Sequence, residues 1–464
     1  MTADGKSSRH PVAGLLVVGL GVAGIPLDTS VNIAFPAITA AFGIEVRTIQ
    51  WVVICYVLTY ASLMLVFGKL GDLFGYRRMF QLGLVVGVFA FVLCASSSGF
   101  GELLAFRIVQ GIGAALTLSC APALATSLYD ERDRTRALGL YASLFAVATA
   151  LGPLVGGLLV DRWGWSGVFW FRAPLALLAL GLSVVLPAPK MDRQRRFDGI
   201  GALLLAGWMS ALLLTMAVAQ LPDVDRLAPL VLGLAGIAAL AGFIRYESRL
   251  SDPILRPALF HDLDFTLLNL ASLAVNLVTF AVLLLVPYHL ARTVGLSATT
   301  GGVVLALGPI GTIVGSAAAG RWAATLGQRR LALAGIVLVV IGTAAIGASA
   351  APSAMPAMVI ALLAHGVGVG FFQVCYTDIV TATLPLRDRG VAGSLATVTR
   401  TLGTVTGATV LSALFQRTQQ AGLSDGLAAD AAFRYGFQAT FLIAAMCLMG
   451  LLLLTTVRRR LWWA

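Results

Sequence analysis

Two carboxylates, two arginines and a histidine lie where this chain is otherwise apolar. Asp28 and Asn32, in Leu27-Asp-Thr-Ser-Val-Asn-Ile-Ala-Phe-Pro36, are four residues apart and so share one helix face. Arg107 and Gln110 stand in Leu103-Leu-Ala-Phe-Arg-Ile-Val-Gln-Gly-Ile-Gly-Ala-Ala115. His365, followed by Gly366, Gly368 and Gly370, then Asp378 and Arg400, occupy later apolar runs. An arginine placed in the middle of a membrane span costs roughly 2.5–3.5 kcal/mol on insertion scales. It must therefore face a bundle interior and find a partner there, and a carboxylate in a span is a functional candidate by default. The competing structural readings are an ion pair for Arg107, a pair between Asp378 and Arg400, and a buried neutral ring for His365. The sequence holds no Walker motif, nucleophile elbow or metal-ligand cluster. It offers no catalytic residues, no metal site and no cofactor site, and it does not read as an enzyme.

The elements that position these groups are membrane spans. Of 464 residues, 59% are hydrophobic and 11% charged, against about 25% charged in a soluble domain, and the mean hydropathy is +0.92. The net charge of +11 is spread over loops; it marks orientation in a bilayer and not a nucleic-acid surface. Cys55, Cys94, Cys120, Cys375 and Cys447 all fall in apolar runs without metal or redox spacing, and read as buried free thiols. The runs divide into spans near 11–38, 48–67, 79–97, 100–129, 136–160, 166–187, 200–220, 228–247, 264–291, 300–320, 330–350, 354–384, 390–416 and 435–457. The expected fold is all-α, with fourteen transmembrane helices. Residues 1–190 form one six-helix bundle, 191–260 two linking helices, and 261–464 a second six-helix bundle.

A charged turn supports the two-fold layout. Gly68-Lys-Leu-Gly-Asp-Leu-Phe-Gly-Tyr-Arg-Arg78 returns, varied, as Gly320-Arg-Trp-Ala-Ala-Thr-Leu-Gly-Gln-Arg-Arg330. Gly68, Gly75, Arg77 and Arg78 align with Gly320, Gly327, Arg329 and Arg330, while Asp72 aligns with Ala324. At roughly 30 residues per span and loop, about eight spans separate the copies, so both turns lie on one side. Basic residues divide 23 against 7 between the two faces of this layout, with Arg172 counted among the seven. The basic face is cytoplasmic, which puts both termini there.

These motifs resemble the major facilitator superfamily, most of all its fourteen-span drug/proton antiporter branch, over essentially the whole chain. The first turn fits the superfamily loop signature at Gly68, Leu70, Asp72, Gly75, Arg77 and Arg78, with Leu73 where a basic residue is common. The resemblance implies a conformational gate at Gly68, Asp72, Gly75, Arg77 and Arg78. Arg107 lies in a second signature and is implied in proton relay. Gly152, Pro153, Gly156 and Gly157 match the antiporter helix motif, with Ala148 at its usual leading glycine, and favour export over uptake. Asp28 precedes Asn32 by four residues where five is usual in the branch, a slip of about 100° around a helix.

Depth joins the two strongest candidates. Asp28 lies ten residues before the outer end of its span near Ile38, and Arg107 seven below Phe100, or about 15 and 11 Å from the outer surface. At one level, Asp28 can carry a proton and Arg107 modulate it, with Asn32, Gln110, His365, Asp378 and Arg400 as cavity candidates. The implied protein is a bacterial-type inner-membrane antiporter, functional as a monomer in the lipid bilayer. It would exchange protons for small amphipathic or cationic compounds (multidrug efflux). Proton-coupled nutrient uptake is the alternative, and a non-transporting polytopic membrane protein a more distant one.

Overall fold

The computed structural model describes residues 11–130, 133–187, 199–218, 225, 227–250, 257–383, 389–456, 458 and 462. Among these, all regular structure is helical. In the first half, α1 (Pro11–Ala23), α2 (Thr29–Phe42), α3 (Gln50–Phe74), α4 (Tyr76–Ala95), α5 (Phe100–Ser127), α6 (Arg134–Trp163), α7 (Gly167–Trp170) and α8 (Arg172–Leu182) follow one another. Next come α9 (Gly199–Val218) and α10 (Leu227–Glu247). The second half holds α11 (Leu263–Tyr288), α12 (Ala298–Leu326), α13 (Gln328–Ala348), α14 (Met355–Thr383), α15 (Arg389–Ser424) and α16 (Ala429–Thr456). Eleven spans among the described residues are long and apolar enough to cross a membrane, twelve if the bent α3 counts as one. By that measure α9 and α15 do not qualify, so the count falls short of the expected fourteen. In α15 the apolar run is interrupted by Thr397, Thr399, Arg400, Thr401, Thr404 and Thr406. The expected boundary at 190/191 lies outside the described residues.

The first span is broken, and its sequence explains the break. Pro26 has no N–H to give to the carbonyl of Val22 four residues back, and its ring crowds that carbonyl. The Val22 carbonyl accepts from Ile25 N at 2.9 Å instead, and Pro26–Asp28 tightens to a single 3₁₀ turn before α2 begins. Asp28 therefore sits at a helix break, not on a smooth helix face.

The repeated turn is the same in both halves. Gly75 ends α3 at φ 95°, ψ 127°, and Gly327 ends α12 at φ 85°, ψ 136°. Side chains other than glycine rarely adopt that region. Equivalent helices also pack alike. Gly113 of α5 lies against Gly83 and Gly87 of α4, as Gly368 of α14 lies against Gly335 of α13. Each glycine pair lets two backbones approach closely, the device of membrane helix packing.

The halves meet at the end of the molecule that carries the α2–α3 loop. There Asp161, near the end of α6, accepts from the N–H groups of Ala298 (3.0 Å) and Thr299 (2.7 Å) at the start of α12. Nearby, Ser412 of α15 donates to Gln50 of α3 at 2.8 Å, and Tyr288 donates to the Phe35 carbonyl at 3.4 Å. Outside both halves, α9 packs on α10 and bridges α3 and α15 through Leu205, Trp208 and Leu402. Ser210 of α9 also meets Ser62 of α3 at 3.3 Å. All five thiols are free, but Cys447 is exposed, contrary to the buried expectation.

The turn geometry separates two glycines of one motif. A Cβ on Gly68 would meet only Ser119 Cβ at an ordinary 3.8 Å, whereas Gly75 is held at positive φ. Gly75→Ala is expected to destabilise the fold by roughly 1–3 kcal/mol, seen as a lower unfolding temperature in detergent. Gly68→Ala is expected to be neutral or slightly stabilising. Equal effects at both sites would refute this account.

Candidate functional site

The break in the first span delivers Asp28 to two buried arginines. Arg107 of α5 grips it with both terminal nitrogens, Nη1 to Oδ1 at 2.6 Å and Nη2 to Oδ2 at 2.7 Å. Arg172, at the start of α8, donates Nη1 to the same Oδ1 at 2.6 Å. Gln110, one turn from Arg107, donates to Oδ1 at 3.1 Å and accepts from Arg107 at 2.9 Å. Both arginine side chains are 0% exposed, and Asp28 is 15% exposed. The sequence-expected partners Asp28, Arg107 and Gln110 are thus brought together.

Each arginine is held by backbone and rings as well. Arg107 Nε donates to the Val52 carbonyl at 2.8 Å, and its guanidinium lies 4.2 Å from the centre of the Tyr56 ring. Arg172 Nε donates to the Val168 carbonyl at 2.8 Å, and Nη1 also reaches Gly24 O in the unwound segment at 3.4 Å. Its guanidinium lies 4.9 Å from the Phe91 ring centre and 5.0 Å from that of Phe169. Such contacts favour a weakly hydrated cation inside the protein. Arg172 Nη2 is buried without a hydrogen-bond partner. The cluster carries one negative and two positive charges. An arginine stays protonated throughout, so Asp28 is the member whose charge can change, and protonation requires its pairs to loosen.

Arg172 corrects the charge count made from sequence, which had placed it among the outer loop cations. It is interior. The signal was present: Arg172 stands six residues into the span expected at 166–187, about 9 Å deep at 1.5 Å per residue. That depth is close to that of Arg107.

The other candidates are placed as follows. Asn32 is buried one turn beyond Asp28, with no hydrogen bond to the cluster among the described residues. His365 is buried between α13 and α14, with Nδ1 3.2 Å from Thr343 Oγ1. Asp378 and Arg400 are both exposed, and no ion pair joins them among the described residues. The Tyr56 and Tyr60 rings lie 5.2 Å apart, and Tyr60 sits beside Thr401 within electrostatic reach of Arg400. An aromatic pair therefore leads from the cluster to the second half. At the turn, Asp72 accepts from Tyr76 Oη, and Arg77 donates to the Leu186 carbonyl at 3.0 Å; Arg78 is exposed.

The glycines of α6 serve two seams. A Cβ on Gly152 would lie 1.9 Å from Thr29 Oγ1, and one on Gly156 2.7 Å from Ser30 Cβ, so these two fit α6 onto the start of α2. A Cβ on Gly157 would lie 2.2 Å from the Ala298 carbonyl, and one on Gly302 2.2 Å from that of Pro153, so these two join α6 to α12 across the halves. Sequence reasoning missed one further cluster. Tyr376 donates to Asn269 Oδ1 at 2.8 Å and lies 3.3 Å from Thr399 Oγ1, itself 3.2 Å from Ser272 Oγ. Its signal was the three-residue spacing of Asn269 and Ser272 in an apolar run.

A family model for the Major Facilitator Superfamily matches residues 15–254 and 268–462. The riboflavin transporter RibZ of Clostridioides difficile (strain 630) is 26% identical over 449 residues, covering 96% of this chain and 97% of that protein. The tetracenomycin C resistance and export protein of Streptomyces glaucescens is 30% identical over 422 residues, covering 89% of this chain and 77% of that protein. A crystal structure of a bacterial homolog of the human lysosomal transporter Spinster, inward-facing and unoccupied, superposes with a TM-score of 0.70 at 17% identity. That likeness, one of fold, covers 99% of this chain and 98% of that one.

The α6–α12 seam yields a measurable expectation. Gly157→Val leaves no room for the Ala298 carbonyl, so the seam must part. In a cysteine-free background, a reporter cysteine in place of Thr299 is expected to react with a maleimide about tenfold faster in the Gly157→Val protein, the factor for a ~1.4 kcal/mol shift in seam opening. An unchanged labelling rate would show that the contact does not hold the halves together.

Proposed function

The chain belongs to the major facilitator superfamily, and from that premise we propose that it is a proton-coupled secondary transporter exporting small amphipathic molecules by alternating access. The superfamily relatives compared above are transporters, not enzymes. The observation that carries the finer reading is Asp28, an interior carboxylate at a helix break, partly open and gripped by two permanent cations. A change of conformation that separates it from an arginine frees it to take a proton; re-forming the pair expels the proton. A proton falling through the membrane potential supplies about 2.3 kcal/mol per 100 mV, enough to drive modest accumulation gradients.

In this reading fourteen helices cross a bacterial inner membrane, α9 and α10 link the two six-helix bundles, and both termini are cytoplasmic. The end where the halves meet is then the outer one, and the structure is inward-facing. The gate at Asp72, Arg77 and Arg78 engages when the cytoplasmic side closes. Export is favoured by the α6 glycine motif and by a relative named as an export protein. A second reading, transport of a vitamin-like nutrient, is favoured by the relative named as a riboflavin transporter.

Two variants test the proposal in proteoliposomes bearing an imposed pH gradient. Asp28→Asn should abolish uphill export and substrate-driven proton release while leaving insertion intact; normal coupling in this variant would move the carrier elsewhere. Asp72→Asn should lower the transport rate about tenfold, a barrier change of about 1.4 kcal/mol, with expression unchanged. Undiminished transport would remove the gate role.

A further inference from the structure

We propose that the Arg107–Asp28–Arg172 cluster is a recognition site for an acidic group on the transported molecule, a carboxylate or ionised phenol, with Asp28 as its exchangeable internal stand-in. The inference rests on the second, uptake reading above, since the acid and the proton load together and move in one direction, and it names the substrate class.

Charge is the first observation. Two fully buried guanidiniums share one carboxylate, leaving one positive charge uncompensated within the cluster. In the second half, Asp378 and Arg400, both exposed, are of opposite sign and add no net charge. The cluster is therefore net positive, and it gains a further positive charge whenever Asp28 is protonated. Such a path disfavours a cation, which narrows the expectation of amphipathic or cationic compounds.

The second observation is a donor left over. Arg172 Nη2 is buried without an acceptor, although Nε and Nη1 are fully engaged. A buried charged donor without a partner is costly, and a purely structural cluster would have been cheaper with a glutamine or a leucine at position 172. An incoming acid provides both the missing charge and the missing acceptor. The third observation is access. Asp28 is the exposed member, so it covers the two cations from the open side. A small cavity lies one residue away from the cluster: its walls include Gly24 and Phe91, which touch Arg172, and Tyr56 and Gln110, which touch Arg107, while neither arginine lines it. No covalent step is involved: the acid replaces the Asp28 carboxylate as acceptor for the guanidiniums while Asp28 holds a proton.

The test uses the full chain in lipid nanodiscs and two dyes with one xanthene frame, fluorescein as an anion and rhodamine 123 as a cation. Binding is read by fluorescence anisotropy at pH 8 with empty nanodiscs subtracted. The native protein should bind fluorescein at least about tenfold more tightly than rhodamine 123. Arg172→Gln should erase that preference by weakening fluorescein alone, and Arg172→Lys, which keeps the charge, should restore most of it. Asp28→Asn, which mimics the protonated acid, should tighten fluorescein. Equal affinities, a preference for rhodamine 123, weaker fluorescein binding in Asp28→Asn, or an equal loss of both dyes in Arg172→Gln would each overturn the proposal. Should Arg172→Gln fail to give a monodisperse protein, the native and Asp28→Asn measurements decide alone. Charge-selective binding without proton-coupled uptake in proteoliposomes would remove the uptake reading and leave this one standing.

Discussion

One carboxylate between two guanidiniums ties together three parts of the first half. Asp28 comes from the broken first span, Arg107 from α5 and Arg172 from the start of α8. None of these charges would be tolerated alone in a membrane interior. Their mutual pairing, and the carbonyls of Val52, Val168 and Gly24, make burial possible. The break at Pro26 is a precondition. It frees the Gly24 carbonyl from helical bonding and turns Asp28 inward, so a backbone irregularity and a charge cluster are one device. A buried ion pair is weak grounds for stability; here it defines a site in which the Asp28 carboxylate is the one charge that a proton can remove.

Close backbone packing supplies the rest of the architecture. Glycines fit α4 to α5 and α13 to α14, giving each half a rigid interior that repeats in the other. The same chemistry at Gly157 and Gly302 makes the seam between halves, but with a difference in kind. Hydrophobic packing is continuous within each half and also runs across the seam between them. The inter-half seam is reinforced by Asp161 on the exposed N-terminal amides of α12, a contact water can replace at little cost. Motion should therefore occur between halves and not within them.

Much of this was legible in the sequence, and the failures have physical causes. The repeated turn was legible because glycine at positive φ is a constraint that few substitutions survive, and Gly75 and Gly327 obey it alike. Asp28 and Arg107 could be matched because depth along a helix is fixed at 1.5 Å per residue. Arg172 was lost because it was counted by charge near a span end, not measured by depth. The α15 helix blurs the span count because its hydroxyls satisfy the backbone of the preceding turn, as Thr409 does on the Val405 carbonyl, so polarity there does not signal a loop. The Tyr376–Asn269–Thr399 cluster joins residues from three helices, and no local pattern brings them together.

The contacts around Asp28 also suggest how its charge reaches the seam. Thr29, the next residue, donates to the Thr149 carbonyl of α6 at 3.0 Å and lies against Gly152, while Ser30 lies against Gly156. One residue further along α6, Gly157 meets Ala298 of the other half. The first turn of α2 thus touches one face of α6, and α12 touches the other. A proton on Asp28 removes the charge that holds α2 against the arginines, leaving two like charges to be satisfied by other means. Any shift of α2 that follows is passed to α6 without slack, because no side chain intervenes at Gly152 or Gly156 to absorb it. Contiguity alone is not coupling. The physical requirement is a two-state element at each end of the path, and the structure supplies one state of each: paired at Asp28 and closed at Gly157.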